Sequence, residues 1–529
     1  RQRQMCIRDR FTKVLIANRG AIATRIIRTL KQMGCQSVAI YNEADADSLH
    51  VQHADEAYSL GEGRAAETYL DQDKVFDIIE QAGVDAVHPG YGFLSENHEF
   101  VKRCEENGIA FIGPTTQQMQ SFGLKHTARQ LAEDNEIPLL PGTGLVDTVE
   151  QALSASASIG YPVMLKSTAG GGGIGMQLCW DSDELSQAYD SVRRLSENNF
   201  SNSGVFIEMF IEYARHIEVQ VFGDGKGKAI AIGERDCSSQ RRNQKVIEET
   251  PAPNIPQQVR SELHDTAAKL VSAVNYRNAG TVEFVYDQKS DQFYFLEVNT
   301  RLQVEHGVTE QVFNIDLVEW MLRLAAGELD DLDVLAAQLE PGGHAIQARI
   351  YAEDPNKDFQ PSAGLLSEVV FPEDKDFTGQ GAAKSSLRID HWLETGIEIS
   401  PLFDPMLAKI VITAPDRDTA IQQLDAALAK TVLYGIETNI RYVREILNTD
   451  IFKHGDIYTR YLNNYVTQPY SIDVISSGTL TTIQDYPGRT GYWDIGVPPS
   501  GPFDQYSFNL ANRLLGNDAS AAGLEITLN

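Results

Sequence analysis

The chain has 529 residues, of which 42% are apolar and 22% charged, the composition of an ordinary globular protein with room for roughly three or four domains of ~150 residues. Its 45 basic and 74 acidic residues leave a net charge of −29, which argues against a nucleic-acid surface and requires any anionic substrate to be met by locally placed cations. No apolar run nears the ~20 residues of a membrane helix. Cys6, Cys35, Cys104, Cys179 and Cys237 are odd in number and lack metal-like spacing, so reduced thiols in a cytoplasmic protein are expected.

Residues 1–10 have no apolar core and do not form a signal peptide. They read as a non-native leader, with native sequence starting near Phe11. Lys13–Asn18 reads as a buried strand, and Ala23, Ile26, Ile27, Leu30 and Met33 recur at helical spacing up to Gly34. Ser37–Tyr41 is the next strand, so the chain opens as a βαβ unit with a parallel sheet. Its first turn, Asn18-Arg19-Gly20, lacks the glycine pattern of dinucleotide binding. His88–Asn97 (HPGYGFLSEN) is a glycine-punctuated loop after the strand Asp85–Val87; such a loop is either a structural turn or a functional strand-end loop.

Tyr161–Lys166 reads as a strand running into the glycine-rich stretch Ser167–Gly175, with Met176–Cys179 as the strand leaving it. Bare backbone N–H groups there suit a polyphosphate, although a plain linker would have the same composition. No Gly-Lys-Ser/Thr follows, so this is not a Walker loop. Val205–Ile211 and Arg215–Val221 are further strands, and Glu234–Lys245 (ERDCSSQRRNQK) is the densest basic cluster, a candidate small-anion site.

The stretch Gln292–His306 begins as an apolar strand and places Glu297, Asn299, Arg301, Gln303 and Glu305 at odd positions. In an extended chain these five share a face. A hairpin with Thr281–Asp287, turning over Gln288–Asp291, pairs Glu283 with Glu297 and Phe284 with Leu296. Carboxylates that close repel unless a cation sits between them. A solvated face with scattered charges is the bland alternative to a magnesium site bearing an anion-binding arm.

Lys166 with the glycine loop, followed by Glu283, Glu297 and Asn299, resembles the ATP-grasp fold. HPGYGFLSEN, ERDCSSQRRNQK, EVNTRLQVEH and RIYAEDP resemble biotin carboxylase, in the family's order from about Phe11 to Tyr465. The resemblance implies an α/β biotin carboxylase fold: a Rossmann-like N-terminal domain (11–124), an ATP-grasp domain (125–335, lid about 140–210) and an α+β C-terminal domain (336–465). It further implies that ATP phosphorylates bicarbonate and that the resulting carboxyphosphate carboxylates biotin. Lys125, Lys166 and His216 would neutralise phosphates, with Gly172 and Gly173 closing over them. Glu208, Met209, Phe210 and Ile211 would border adenine, and Gln240 and Asn243 would also contact the nucleotide. Glu283, Glu297 and Asn299 would hold magnesium or manganese. Lys245, Arg301, Gln303 and the Val304 backbone would cradle bicarbonate, Glu305 would be the general base, and Arg349 would stabilise charge on the biotin ureido oxygen. Leu124, Met209-Phe210, Asn243 and Gly307 depart from the family's usual residues.

After a short polar linker (466–471), Ile472–Asn529 resembles the start of the carboxyltransferase domain of urea carboxylase, a domain shared with KipA-like subunits of 5-oxoprolinase. Met-Lys-Met, the biotinylation motif, does not occur. The resemblance therefore implies carboxyl transfer to urea, giving allophanate, with the biotin carrier and the rest of the carboxyltransferase domain missing downstream. Guanidine is the alternative acceptor, and a biotin carboxylase component of an acyl-CoA or pyruvate carboxylase is the other reading. A homodimer is expected, with an allophanate hydrolase as a candidate partner.

Overall fold

Apolar runs too short for helices form the first sheet: β1 (Lys13–Ile16), β2 (Gln36–Tyr41), β3 (Glu56–Ser59), β4 (Ala86–His88) and β5 (Ala110–Phe111), all parallel in the order β3-β2-β1-β4-β5. Val14, Leu15 and Ile16 are wholly buried, as expected where helices cover both faces of a parallel sheet. The helix α1 (Gly20–Met33) buries Ala23, Ile26, Ile27 and Leu30 and ends at the left-handed Gly34. β1 lies between β2 and β4, so the winding reverses there and a crevice opens beyond the strand ends. Asn18 bridges that crevice, donating from Nδ2 to the carbonyls of Pro89 and Tyr91, both at 2.7 Å.

The computed structural model describes residues 11–123, 125–167, 176–199, 204–372, 387–467 and 479–527. The leader 1–10, Leu124 and the glycine loop with Gly172 and Gly173 lie outside these, as do most of the linker and the start of the tail. β6 (Val163–Ser167), β7 (Met176–Cys179) and β8 (Val205–Met209) form a small antiparallel sheet in the order β7-β6-β8. β8 ends at Met209 rather than Ile211: the Phe210 N–H still donates to the Pro162 carbonyl at 3.0 Å, but Pro162 has no N–H with which to continue the ladder.

β9 (Ala214–Asp224), β10 (Ala229–Arg241), β11 (Gln244–Thr250), β12 (Arg277–Asp287), β13 (Gln292–Asn299) and β14 (His344–Tyr351) join Met406–Ala414 and Leu387–His391 in one antiparallel sheet. Its order is β13-β12-β9-β10-β11-β14, then Met406–Ala414, then Leu387–His391. Strands from both sides of residue 336 thus share a sheet, joined where β11 meets β14 from Ile247–Ala348 to Thr250–Ala345. Residues 1–467 form one compact unit and residues 468–529 another. Within the second, Leu480–Gln484 pairs antiparallel with Gly523–Thr527, and Asp504 caps the helix Gln505–Leu514 by accepting the Ser507 N–H at 3.1 Å. Among the described residues no helix is long and apolar enough to cross a membrane.

Candidate active site

The expected hairpin forms over β12 and β13, and Glu283 stands opposite Glu297. Phe284, however, pairs with Phe295, not Leu296. Leu296 is the extra residue of a bulge, which re-aims the strand end and is a common device beside active sites. The shared face therefore holds only as far as Asn299. Arg301, Gln303 and Glu305 lie in the connection to the helix His306–Phe313, so loop geometry rather than strand alternation brings them in.

Glu297, Glu283, Glu218 and Arg235 stand opposite one another across β13, β12, β9 and β10. Three carboxylates in such a row repel, and cations compensate them. The Arg235 guanidinium, wholly buried, is bonded to Glu218, Gln220, Thr309 and Thr281. Lys245 Nζ donates to Glu218 at 2.7 Å, Glu283 at 3.0 Å and Glu305 at 2.7 Å. Burial favours its neutral amine, but Glu218, Glu283 and Glu305 raise its pKa well above the ordinary lysine value. His216 Nε2 lies 3.0 Å from Glu283. The basic cluster is thus not a solvated face. β10 and β11 run through it around a tight turn at Arg242 and Asn243, both at positive φ, and of its cations Lys245 and, behind it, Arg235 serve this row.

A cleft of about 830 Å³ opens over the row. His216, Gln240, Asn243, Lys245, Glu283, Glu297, Asn299, Arg301, Gln303, Val304 and Arg349 all line it. Arg301 Nη1 donates to Gln303 Oε1 at 2.8 Å and Nη2 to Asn299 Oδ1 at 3.2 Å, while Gln303 Nε2 donates to Glu283 at 3.2 Å. The Val304 carbonyl accepts from the buried Lys409 at 3.0 Å. Glu283 and Glu297 on adjacent strands, with the neutral oxygen of Asn299, make a hard-oxygen set that fits a divalent cation such as magnesium.

Glu305 does not line the cleft; it is wholly buried behind it. Its carboxylate accepts from Lys245 and, at 3.0 Å, from Arg349. Burial opposes ionisation, yet Lys245, Arg349 and Arg235 hold the group well below the usual carboxylate range. Arg349 also binds Glu248 through Nε and lies 3.4 Å from the Tyr351 hydroxyl. Burial, opposed by Arg349 and reinforced by Glu305, raises the pKa of Glu248.

Of the remaining expected residues, Gly172 and Gly173 lie outside the described residues, and Lys166 and 208–211 are placed by β6, β8 and their flanks. Lys166 pairs with Glu208, which also meets Arg129 at 3.4 Å. The Met209 N–H donates to Pro141 O at 2.8 Å, and the Phe210 ring packs edge-on to Trp180, 6.4 Å between centroids. Ile211 follows the end of β8. Lys125 begins the helix Lys125–Asp134. Sequence reasoning missed Glu96, Glu218, Glu248 and Tyr351. Alternation along β9 carries a signal for Glu218, since it shares a face with His216.

Family profiles match in the same order: "Biotin carboxylase, N-terminal domain" over 10–119, "Carbamoyl-phosphate synthase L chain, ATP binding domain" over 125–332, and "Biotin carboxylase C-terminal domain" over 347–464. A biotin carboxylase from Halalkalibacterium halodurans is 44% identical over 458 residues, covering 86% of this chain and 98% of that protein. The chain belongs to the biotin carboxylase family of ATP-dependent carbon–nitrogen ligases. It is also 51% identical to a urea amidolyase from Saccharomyces cerevisiae, over 98% of this chain and 28% of that protein. The crystal structure of the Kluyveromyces lactis urea carboxylase superposes with a TM-score of 0.77 at 45% identity, covering 98% of this chain and 38% of that one. A fourth profile, "Carboxyltransferase domain, subdomain A and B", matches 495–529. The chain thus spans roughly a quarter to two fifths of these longer relatives.

Proposed function

We propose that the cleft uses ATP and bicarbonate to carboxylate biotin, with urea as the final acceptor of the carboxyl group in the complete enzyme. The observation that carries this reading is the convergence of Lys245, Arg301 and Arg349 on one cleft, over a row of carboxylates. Arg301 and Lys245, with Gln303 and Val304, bind bicarbonate; a guanidinium suits a planar oxyanion. Lys125, Lys166 and His216 neutralise the ATP phosphates, Gly172 and Gly173 close over them, and 208–211 with Gln240 and Asn243 border the nucleoside. Magnesium or manganese held by Glu283, Glu297 and Asn299 would neutralise phosphate charge in the transferring group.

Glu305 takes the bicarbonate proton. Its carboxylate accepts from Lys245, whose charge helps to hold it well below the usual carboxylate range against the effect of burial. A bound bicarbonate shares the charge of Lys245 and so raises the proton affinity of Glu305. The bicarbonate oxygen then attacks the γ-phosphorus and ADP leaves. The carboxyl group of carboxyphosphate passes to N1 of biotin, the released phosphate takes the N1 proton, and Arg349 stabilises the negative charge that develops on the ureido oxygen.

Urea is favoured over guanidine or an acyl-CoA by the match of 495–529 to a carboxyltransferase domain and by the urea amidolyase and urea carboxylase relatives. Four buried free cysteines, Cys35, Cys104, Cys179 and Cys237, fit a reducing cytoplasm, and we read the assembly as a homodimer by analogy with the family. Phosphate release measured with each component omitted tests the half-reaction. It should require bicarbonate and a divalent metal, and free biotin should stimulate it; equal rates without bicarbonate would remove the reading. Assays of the complete enzyme with urea, guanidine and acyl-CoAs identify the acceptor.

A further inference from the structure

The loop His88–Asn97 is not used by the mechanism above, yet it reaches the bicarbonate arm. Glu96 Oε2 accepts from Arg301 Nε at 2.8 Å, and its Oε1 accepts from the Thr300 N–H at 3.2 Å. We propose that Glu96 is a positioning residue for bicarbonate: by engaging Nε it orients the Arg301 guanidinium so that Nη1 and Nη2 face the cleft.

Three observations support this assignment, which rests on the bicarbonate role of Arg301. First, Glu96 does not itself line the cleft, whereas Arg301 does, so it acts through the arginine. Second, the loop is stiff. Asn18 binds the carbonyls of Pro89 and Tyr91, Leu94 is wholly buried, and Asn97 caps the helix His98–Glu106 through the Phe100 N–H at 2.9 Å. Glu96 sits between the buried leucine and the cap, so its backbone has little freedom. Third, Glu96 grips both the guanidinium and the adjoining backbone of Thr300, which fixes the connection that begins where β13 ends. A free arginine would lose much rotamer entropy on binding an anion; one already held by a carboxylate loses less.

The test uses the full chain with Glu96→Ala and Glu96→Gln, measuring ATP cleavage against bicarbonate and, separately, against ATP. The Glu96 side chain is 42% exposed, so solvent screens part of the pair and its loss corresponds to roughly three- to tenfold in binding. Glu96→Ala should raise the bicarbonate KM by at least about threefold while the ATP KM stays within about twofold. Glu96→Gln keeps the acceptor oxygen without its charge and should fall between wild type and Ala, which also serves if Glu96→Ala folds poorly. A bicarbonate KM within twofold of wild type in a folded variant, or equal rises for bicarbonate and ATP, would overturn the assignment alone. A wild-type rate indifferent to bicarbonate would instead sink the reading of Arg301 and this inference with it.

Discussion

Replacing Lys245 by methionine should make the stability of this protein depend on pH in a predictable way. The ammonium is bonded to three buried carboxylates, Glu218, Glu283 and Glu305; Glu218 keeps Arg235 and Glu305 keeps Arg349, whereas Glu283 keeps only the His216 imidazole, 3.0 Å away. Loss of the ammonium therefore leaves Glu283 without a permanently charged partner, one surplus negative charge in the row. That charge can be removed by protonating a carboxyl of ordinary value 4.5, which at pH 7 costs about 3.4 kcal/mol and at pH 5.5 about 1.4 kcal/mol, at 1.36 kcal/mol per unit. Neutralisation thus caps the destabilisation, within the range measured for broken buried pairs. The sign follows from the surplus carboxyl. Its folded pKa is raised, so the variant binds an extra proton when folded and loses stability as pH rises from 5.5 to 7. In wild type, Glu283 and Glu305 are held below 4.5, so they contribute no slope in this window. If the 467-residue unit melts in one transition, its unfolding entropy is about 1 kcal/mol per degree. The Tm gap between wild type and Lys245→Met should accordingly be about 3 °C at pH 7 and about 1 °C at pH 5.5. Parallel melting curves across that range would show that Lys245 does not hold the carboxylate row together.

Glu305→Gln should retain ATP binding and lose about 10²–10⁴-fold in turnover, since an amide cannot take the proton; single-turnover phosphate release with a separate nucleotide-binding assay checks this. Arg349→Gln should abolish stimulation by free biotin while leaving bicarbonate-dependent ATP cleavage measurable, a separation read by running the same assay with and without biotin. Glu249 is held down to about 2 because His344 and Arg417 outweigh its burial. Its contribution, about 3 kcal/mol at neutral pH, is present above about 4.5 and is lost as pH falls through about 2. Glu249→Gln should therefore be less stable than wild type at pH 7, with the gap closing in denaturant titrations below pH 4.5.

The grouping of Glu283, Glu297 and Asn299 at one cleft was legible in the sequence because strand alternation is a strong local signal and the three could be placed on one surface by counting. Beyond Asn299 the same counting failed. A one-residue bulge at Leu296 and the end of the strand at Asn299 interrupt the alternation, and no period reveals either. Glu96 was invisible as a partner of Arg301 because 205 residues separate them, and only the reversal of winding between β1 and β4 brings its loop to the cleft. Arg235 belongs to the basic run read as a candidate small-anion site, yet its guanidinium is buried against partners on three other elements.

The sheet that carries both the carboxylate row and Arg349 has a practical meaning for engineered hybrids. A chimera joined near residue 336 would ask β11 of one parent to pair with β14 of another, from Ile247–Ala348 to Thr250–Ala345, and any mismatch of twist there would shift Arg349 relative to Lys245. A seam inside this sheet, between β11 and β14, should therefore cost biotin-dependent activity before it costs ATP cleavage.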